Sequence, residues 1–333
     1  MIDVLVLGLG PAGASAAAEA ARRGCRVVAL DRRRVPGVPV QCAELVPGPL
    51  EVGASAVQRI DAMATFVEDD AADLQPNFPG HMLDRAAFDA ALVGQAAAAG
   101  ADCRLGSPVK RVAPDGTVEL AGGERLSARV IVGADGPRSR TGAAIGSVNA
   151  ELVETRQVRV PLKAPSTATD IFLSADIPGG YGWLFPKGDA ANLGAGVSPA
   201  HKARLKPIVA RLHDALRERV GRRILATTGG AIPVGGLLEP WGVLGETLVL
   251  LAGDAAGLAN PVTGAGIAAA VHSGRLAGEA AARAAPEAYE QELLDVFGAA
   301  LERALRRRRE LLAQAPTKPS LRRGWIAYPE YWQ

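Results

Sequence analysis

The chain has 333 residues, 48% of them hydrophobic and 22% charged, and a formal net charge of +2. This composition describes a globular protein with a sizeable core, and the small net charge gives no electrostatic ground for a nucleic-acid partner. Three cysteines without a Cys-x-x-Cys pair exclude a readable disulfide framework or zinc site and fit a reducing cytoplasm, and no apolar run reaches the ~18 residues that span a bilayer.

Residues 2–7, IDVLVL, form a short apolar run suited to a strand buried on both faces, with no basic leader before it. Gly8, Gly10 and Gly13 follow in a Gly-x-Gly-x-x-Gly pattern, then an alanine-rich helix stopped by Gly24, then the strand CRVVALD, which ends at Asp31. Strand, glycines, helix, strand and acid in this order predict a βαβ dinucleotide site. The glycines permit a tight turn, close approach of the backbone to a pyrophosphate, and close helix-to-sheet packing, while Asp31 is placed to accept hydrogen bonds from ribose hydroxyls. A glycine-rich turn in an ordinary α/β domain is the alternative.

Residues 32–49, rich in Arg, Pro, Gly and Val, read as a long loop. A helix is predicted over 84–99, with Asp84 as N-cap and Gly100 as stop, and a buried strand over 128–140 that breaks at Gly133–Gly136. Between 147 and 235 short apolar segments alternate with Pro and Gly turns, which predicts an antiparallel sheet interrupted by one helix within 203–221. TLVLLAGDAAG, 247–257, returns to the style of the first strand, so a distant segment completes the first domain. A basic helix around Arg306–Arg309 and a tail with Trp325, Tyr328, Tyr331 and Trp332 close the chain. That tail could rest on an anionic membrane surface as a peripheral contact, clamp the first domain, or lie exposed.

The predicted fold class is α/β: a Rossmann-like dinucleotide domain from 1–146 and 236–300, and a second α+β substrate domain at 147–235 built on an antiparallel sheet. Residues 36–80 are assigned to an active-site loop region of the first domain, and 301–333 to a C-terminal helix and tail.

Three motifs in order resemble the FAD-binding oxidoreductases of the p-hydroxybenzoate hydroxylase type: the glycine fingerprint, VGADGPRSR with Asp135 and Gly136, and LLAGDAAGLANPVTGAGIAAA with Gly253 and Asp254. The resemblance implies non-covalent FAD, with Asp135 and Gly136 among the residues that bind it, Asp254 on the ribityl chain and Arg85 on the pyrophosphate. Reduction of a flavin places negative charge near N1 and the C2 carbonyl, and a helix start with free amides at Gly264, Ala265 and Gly266 suits that charge. The two glycine-rich stretches would then hold opposite ends of one FAD.

GGYGWLFPKGDAANLGAGV at 179–197, VPVQCAELVP at 38–47 and LDRAAFDAALVGQAAAAGA at 83–101 are similar to segments of the geranylgeranyl reductase group within this superfamily. This narrower resemblance implies hydride transfer from reduced FAD to a hydrophobic or unsaturated substrate, with a lipid and a protein side chain among the classes considered. Cys42 would face the isoalloxazine and give a proton or shape the site; otherwise it is a small apolar filler. Glu44 reads as a solvated loop carboxylate, with an acid role as the alternative. Tyr181 and Trp183 form a pocket wall or ordinary core. His81, His201, His213 and His272 make no spaced ligand set, so no metal is assigned.

No second glycine fingerprint is present, so NAD(P)H is expected as a transient electron donor, or else a protein donor. Two rival functions remain at this stage. One is an FAD-dependent monooxygenase that captures oxygen on the reduced flavin and hydroxylates an aromatic, including Trp or Tyr, free or in a protein. The other is a non-catalytic flavin electron carrier.

Overall fold

Two sheets organise the computed structural model, which describes residues 1–333. The first runs in the order Trp241–Leu244, Thr247–Leu251, Ala128–Gly133, Ile2–Leu7, Val27–Asp31, Asp102–Leu105. All neighbours are parallel except the hairpin partner Trp241–Leu244. Parallel strands need both faces covered, which is why the central strands read as apolar runs while the edge strand Asp102–Leu105 does not. Leu5, Leu7, Leu30 and Ile131 are each at most 1% exposed, and each such side chain contributes about 1.5–3 kcal/mol of burial.

The chain leaves Ile2–Leu7 toward Val27–Asp31 on one side and later returns to Ala128–Gly133 on the other. A crevice therefore opens beyond the carboxyl ends of these central strands, the usual ligand position in such sheets.

Over this sheet the alanine-rich helix Pro11–Arg22 crosses the helix Ile267–Arg283 at very close range. A Cβ at Gly274 would lie 2.1 Å from the Ala12 carbonyl oxygen, and one at Gly278 would lie 2.4 Å from that of Ala16. Small side chains on both helices are what permit this approach. The distant segment predicted to complete the first sheet does so through Thr247–Leu251.

The second sheet has eight strands, mostly antiparallel, centred on Leu152–Pro161, Ala190–Val197, Gly182–Lys187 and Ala168–Leu173. One face is covered by the helix Leu205–Ala215, whose Leu205, Ile208 and Val209 pack on Val158, Val160 and Leu193. This helix is shorter than 203–221: a 3-10 turn at Pro199–Arg204 leads into it, and it ends at Ala215 with turns following. Residues 62–75 differ from their assignment to the loop region. Ala62–Val67 pairs in parallel with Ala168–Leu173, and Asp73–Gln75 pairs with Ala62–Val67, so both strands extend the second sheet.

The other face of this sheet meets the C-terminal tail. Leu321, Trp325 and Tyr328 pack with Met63, Ile171, Trp183 and Phe185 in one core. Trp325, Tyr328 and Tyr331 are thus buried against the protein and only Trp332 stands out, at 59% exposure, so of the three readings of the tail the structure favours packing on the protein. Helical rotation likewise turns Arg307 and Arg308 inward while Arg306 and Arg309 stay in solvent. Arg307 donates to the Tyr331 carbonyl at 3.0 Å and pairs with Glu310 at 2.8 Å. No helix is long and apolar enough to cross a membrane.

Candidate active site

The glycine turn after the first strand is forced by contact with its neighbours. Gly8 has φ 97°, and a Cβ there would lie 2.3 Å from the Ala134 carbonyl oxygen; one at Gly13 would lie 1.8 Å from that of Gly8. Gly10 differs: nothing lies within 4 Å of where its Cβ would be. The amides of Gly10, Ala12 and Gly13 have no acceptor within the chain, and they open the helix Pro11–Arg22. Free amides at a positive helix end beside an open cradle are what a pyrophosphate requires. Asp31 lies over this turn, its two carboxylate oxygens accepting from the amides of Leu9 at 2.8 Å and Arg33 at 2.7 Å. Each oxygen keeps a lone pair for a further donor.

Gly253, with φ 61°, wedges between the two crossing helices, where a Cβ would stand 2.9 Å from that of Ala12 and 3.3 Å from that of Ala270. The two glycine-rich stretches, some 240 residues apart, therefore converge on one turn. Asp254 follows; burial pushes its carboxyl up to about 6, with the Arg85 charge opposing. A Cβ at Gly266 would approach this carboxylate to 3.2 Å.

The loop after it corrects the expected set of amides. Asn260 organises a tight turn, its side chain accepting from the amides of Val262 and Thr263 and its carbonyl from that of Gly264. The Ala265 amide is engaged by Thr263 Oγ1 at 3.2 Å. The amides left without an acceptor are those of Gly266, Ile267, Ala268 and Ala269, one step further along, at the start of the helix Ile267–Arg283.

Asp135 also differs from its expected role. Its carboxylate accepts from the amides of Arg140 and Thr141 and from the hydroxyls of Ser139 and Thr141. It organises the Asp-Gly turn and the start of the helix Arg140–Ala144, while Gly136 turns the chain with φ 85°. Arg85, expected on the pyrophosphate, holds Asp89 in a bidentate pair at 2.9 and 3.0 Å. Burial works against the Arg85 charge, but Cys42 and Asp89 outweigh it and push its pKa up. The Arg85 charge is thus felt at both Cys42 and Asp254.

The segment around Cys42 is held by the second sheet. Thr228 donates its hydroxyl to the Val40 carbonyl. Gln157 donates to the Cys42 carbonyl at 3.2 Å and accepts from Trp183 Nε1 at 2.9 Å. Asn192 donates to the Ala43 carbonyl at 3.1 Å. The Glu44 amide points at Cys42 Sγ, 3.2 Å away.

Glu44 is not a solvated loop acid. It is 5% exposed, has φ 67°, and accepts from Lys187 Nζ at 2.8 Å and Asn192 Nδ2 at 3.1 Å. A left-handed conformation at a residue with a side chain costs about 1–3 kcal/mol and persists only where its surroundings impose it. Here the ion pair and the Leu83 amide on its carbonyl at 2.8 Å do so.

Tyr181 and Trp183 lie side by side, ring centroids 5.7 Å apart, and Trp325 of the tail closes on Tyr181 at 4.8 Å. The Tyr181 hydroxyl donates to the Thr263 carbonyl at 2.6 Å, tying the wall to the Asn260 turn. Burial raises the pKa of this hydroxyl, so it remains a donor. Between wall and turn lies a cavity of about 30 Å³, lined among others by Val153, Ile232, Val262 and Arg308.

Sequence reasoning gave no role to Gln157, Lys187, Asn192 or Arg308. A usable signal was there for two of them: Lys187 ends the otherwise apolar run GWLFPK, and Asn192 stands alone among small and apolar residues on the paired strand. A polar side chain on a strand buried throughout demands a partner.

Comparison with known proteins agrees with this arrangement. Residues 1–176 match the FAD binding domain family, and residues 154–232 match the geranylgeranyl reductase catalytic domain. A digeranylgeranylglycerophospholipid reductase of Methanopyrus kandleri is 33% identical over 86% of this chain and 78% of its own length. The crystal structure of a geranylgeranyl bacteriochlorophyll reductase-like protein from Thermoplasma acidophilum superposes with a TM-score of 0.85 at 25% identity, covering 96% of this chain and 89% of that one. The flavin-dependent brominase Bmp2, with a TM-score of 0.72 at 18% identity over 94% of this chain and 87% of that one, shares the fold. Matched over most of its length by these relatives, and carrying the crevice that FAD requires, the chain belongs to the geranylgeranyl reductase family of FAD-dependent oxidoreductases.

Proposed function

We propose that the enzyme reduces a carbon–carbon double bond of a hydrophobic substrate held against Tyr181 and Trp183. FAD, when bound, supplies the hydride. The amides of Gly10, Ala12 and Gly13 would take its pyrophosphate, Asp31 its adenosine ribose and Asp254 its ribityl hydroxyls. The amides of Gly266–Ala269 would face the charge that grows on reduction. Cys42 would deliver the proton to the second carbon of the alkene, completing addition of one hydride and one proton. NAD(P)H is the proposed transient source of the two electrons.

One observation carries this reading. The cysteine segment is gripped from the substrate side by Gln157, itself held by Trp183, and faces Arg85 on the side of Asp254. These contacts support Cys42 as the proton donor, since they hold its segment beside the aromatic wall and its thiol near the Arg85 charge. The relative from Methanopyrus kandleri bears the name of a lipid reductase. In this chain Trp325 of the tail closes on that wall.

The test is anaerobic stopped-flow spectroscopy of the two half-reactions in wild type and Cys42→Ser. Reduction of the flavin by NAD(P)H is expected to be unchanged, while its reoxidation by an unsaturated substrate slows about 100-fold or more. Equal slowing of both steps would assign Cys42 to the architecture of the site and remove it as proton donor.

A further inference from the structure

Seven charged side chains are buried in this protein, and six of them have a counter-ion. Glu44 pairs with Lys187, Asp89 with Arg85, Glu154 with Lys202, Asp170 with Arg219, and Arg307 with Glu310. Arg308, only 8% exposed, has none. Its Nη1 donates to the Gly179 carbonyl at 3.0 Å and reaches toward that of Pro261 at 3.5 Å, while its Nε is buried without any acceptor. Burial works against its charge and lowers its pKa, only partly offset by Glu151, which pairs with Arg309 instead; a guanidinium does not give up its proton in a protein, so the charge stays. Buried charges are otherwise paired or bound to a ligand.

Position decides what the missing partner does. Arg308 lines the cavity between the aromatic wall and the turn at Pro261–Gly264, whose remaining walls are largely aliphatic and aromatic. The cavity, about 30 Å³, has room for about two waters or one carboxylate group. A planar carboxylate matches the planar guanidinium fork and can take the free Nε proton; a phosphate dianion would bring a second charge for which the lining, with Arg308 as its one charged residue, holds no cation.

We propose that Arg308 is the counter-ion for a carboxylate group on the substrate, so that this enzyme reduces an unsaturated acid, its acid end anchored at Arg308 and its double bond at the aromatic wall. The assignment of the acid end rests on the reductase reading above, whereas the anion site at Arg308 stands independently of it.

The experiment uses acetate as probe, with acetamide as the uncharged control and inorganic phosphate as the bulkier anion, all at fixed ionic strength. Two signals are read: the visible absorbance of FAD in the holoenzyme, and the thermal midpoint of the protein with and without FAD. Acetate is expected to perturb the flavin spectrum saturably and raise the midpoint, acetamide and phosphate to do neither. Arg308→Gln should weaken acetate binding about 10- to 100-fold, and Arg308→Lys should retain part of it. Identical responses to acetate and acetamide in wild type would overturn the site, as would undiminished acetate binding in Arg308→Gln. If that variant does not fold, the wild-type comparison and Arg308→Lys decide. A phosphate response without an acetate response overturns the carboxylate assignment. An acetate response in protein that binds no FAD would keep the anion site and sink the reductase reading alone.

Discussion

The proposed FAD crevice and the proposed substrate face meet at the Asn260 turn, but they are made of different materials. The crevice is built from backbone: amides left free at two helix starts, and glycines at which a side chain would strike a carbonyl oxygen within about 2.5 Å. The substrate face is built from side chains that reach each other across the sequence, such as Lys187 to Glu44 and Gln157 to the Cys42 carbonyl. A backbone site holds a ligand common to many enzymes with little help from residue identity. A side-chain site is where one relative can differ from another, and the uncompensated Arg308 lies there.

The largest effect should come from the crevice. Gly13→Ala places a methyl 1.8 Å from the Gly8 carbonyl, a collision that backbone cannot relieve without moving the turn, so we expect loss of FAD together with misfolding or severe destabilisation, read by flavin content and thermal melting.

Next in size is the substrate face. Lys187→Met leaves Glu44 buried without its cation and should cost about 3–5 kcal/mol in urea unfolding. Adding Glu44→Gln should recover part of that loss. A Lys187→Met effect below about 1 kcal/mol would break the contrast, since it would mean that the pair does not hold the cysteine segment.

Asp254 lies where the two regions touch. Its carboxyl is held at about 6 against an ordinary 3.8. The folded state therefore binds this proton more tightly than the unfolded one. The resulting contribution to stability is complete below about pH 4 and is lost as pH rises through 6. In protein free of FAD, Asp254→Asn should be more stable than wild type at pH 8 by up to about 3 kcal/mol. The difference should shrink toward zero near pH 4, and FAD affinity should fall in the same variant. A difference independent of pH would remove burial of this carboxyl as its cause.

The smallest effect belongs to the tail's exposed end. Trp332 is 59% exposed with Arg303 over its ring at 5.2 Å. Trp332→Ala should change stability by less than about 1 kcal/mol and leave any binding to anionic vesicles unchanged. Loss of vesicle binding in this variant would restore a membrane role to the tail.

The same division of materials explains what was legible in the sequence. Gly8, Gly13 and Gly253 are required by contacts that any copy of this turn makes, so their spacing carries the meaning. The parallel strands announced themselves through apolar runs, and the return of 247–251 to the first sheet followed from its likeness to residues 2–7. The free amides were misplaced by about one turn residue because Asn260 consumes those of Val262, Thr263 and Gly264, a local competition that glycine spacing does not encode. Asp135 was read as facing the cofactor, yet donors four to six residues downstream occupy its carboxylate. Glu44 was misread and the tail aromatics left open for another reason: Glu44 finds its partner 143 residues away in Lys187, and Trp325 and Tyr328 find theirs in the second sheet. Burial arising from such long-range pairing leaves no periodic trace in the segment itself.

The most direct measurement of the central claim is the flavin content of the purified protein beside that of Gly10→Ala. Gly10 has φ −74° and open space where its Cβ would stand, so the variant should fold as wild type does while its methyl intrudes on the pyrophosphate cradle. Wild type should carry one FAD per chain, released on denaturation, and Gly10→Ala should be a folded protein that retains little of it. Wild-type protein that carries no flavin and takes none up on reconstitution would contradict the account. So would a Gly10→Ala variant that holds FAD as tightly as wild type.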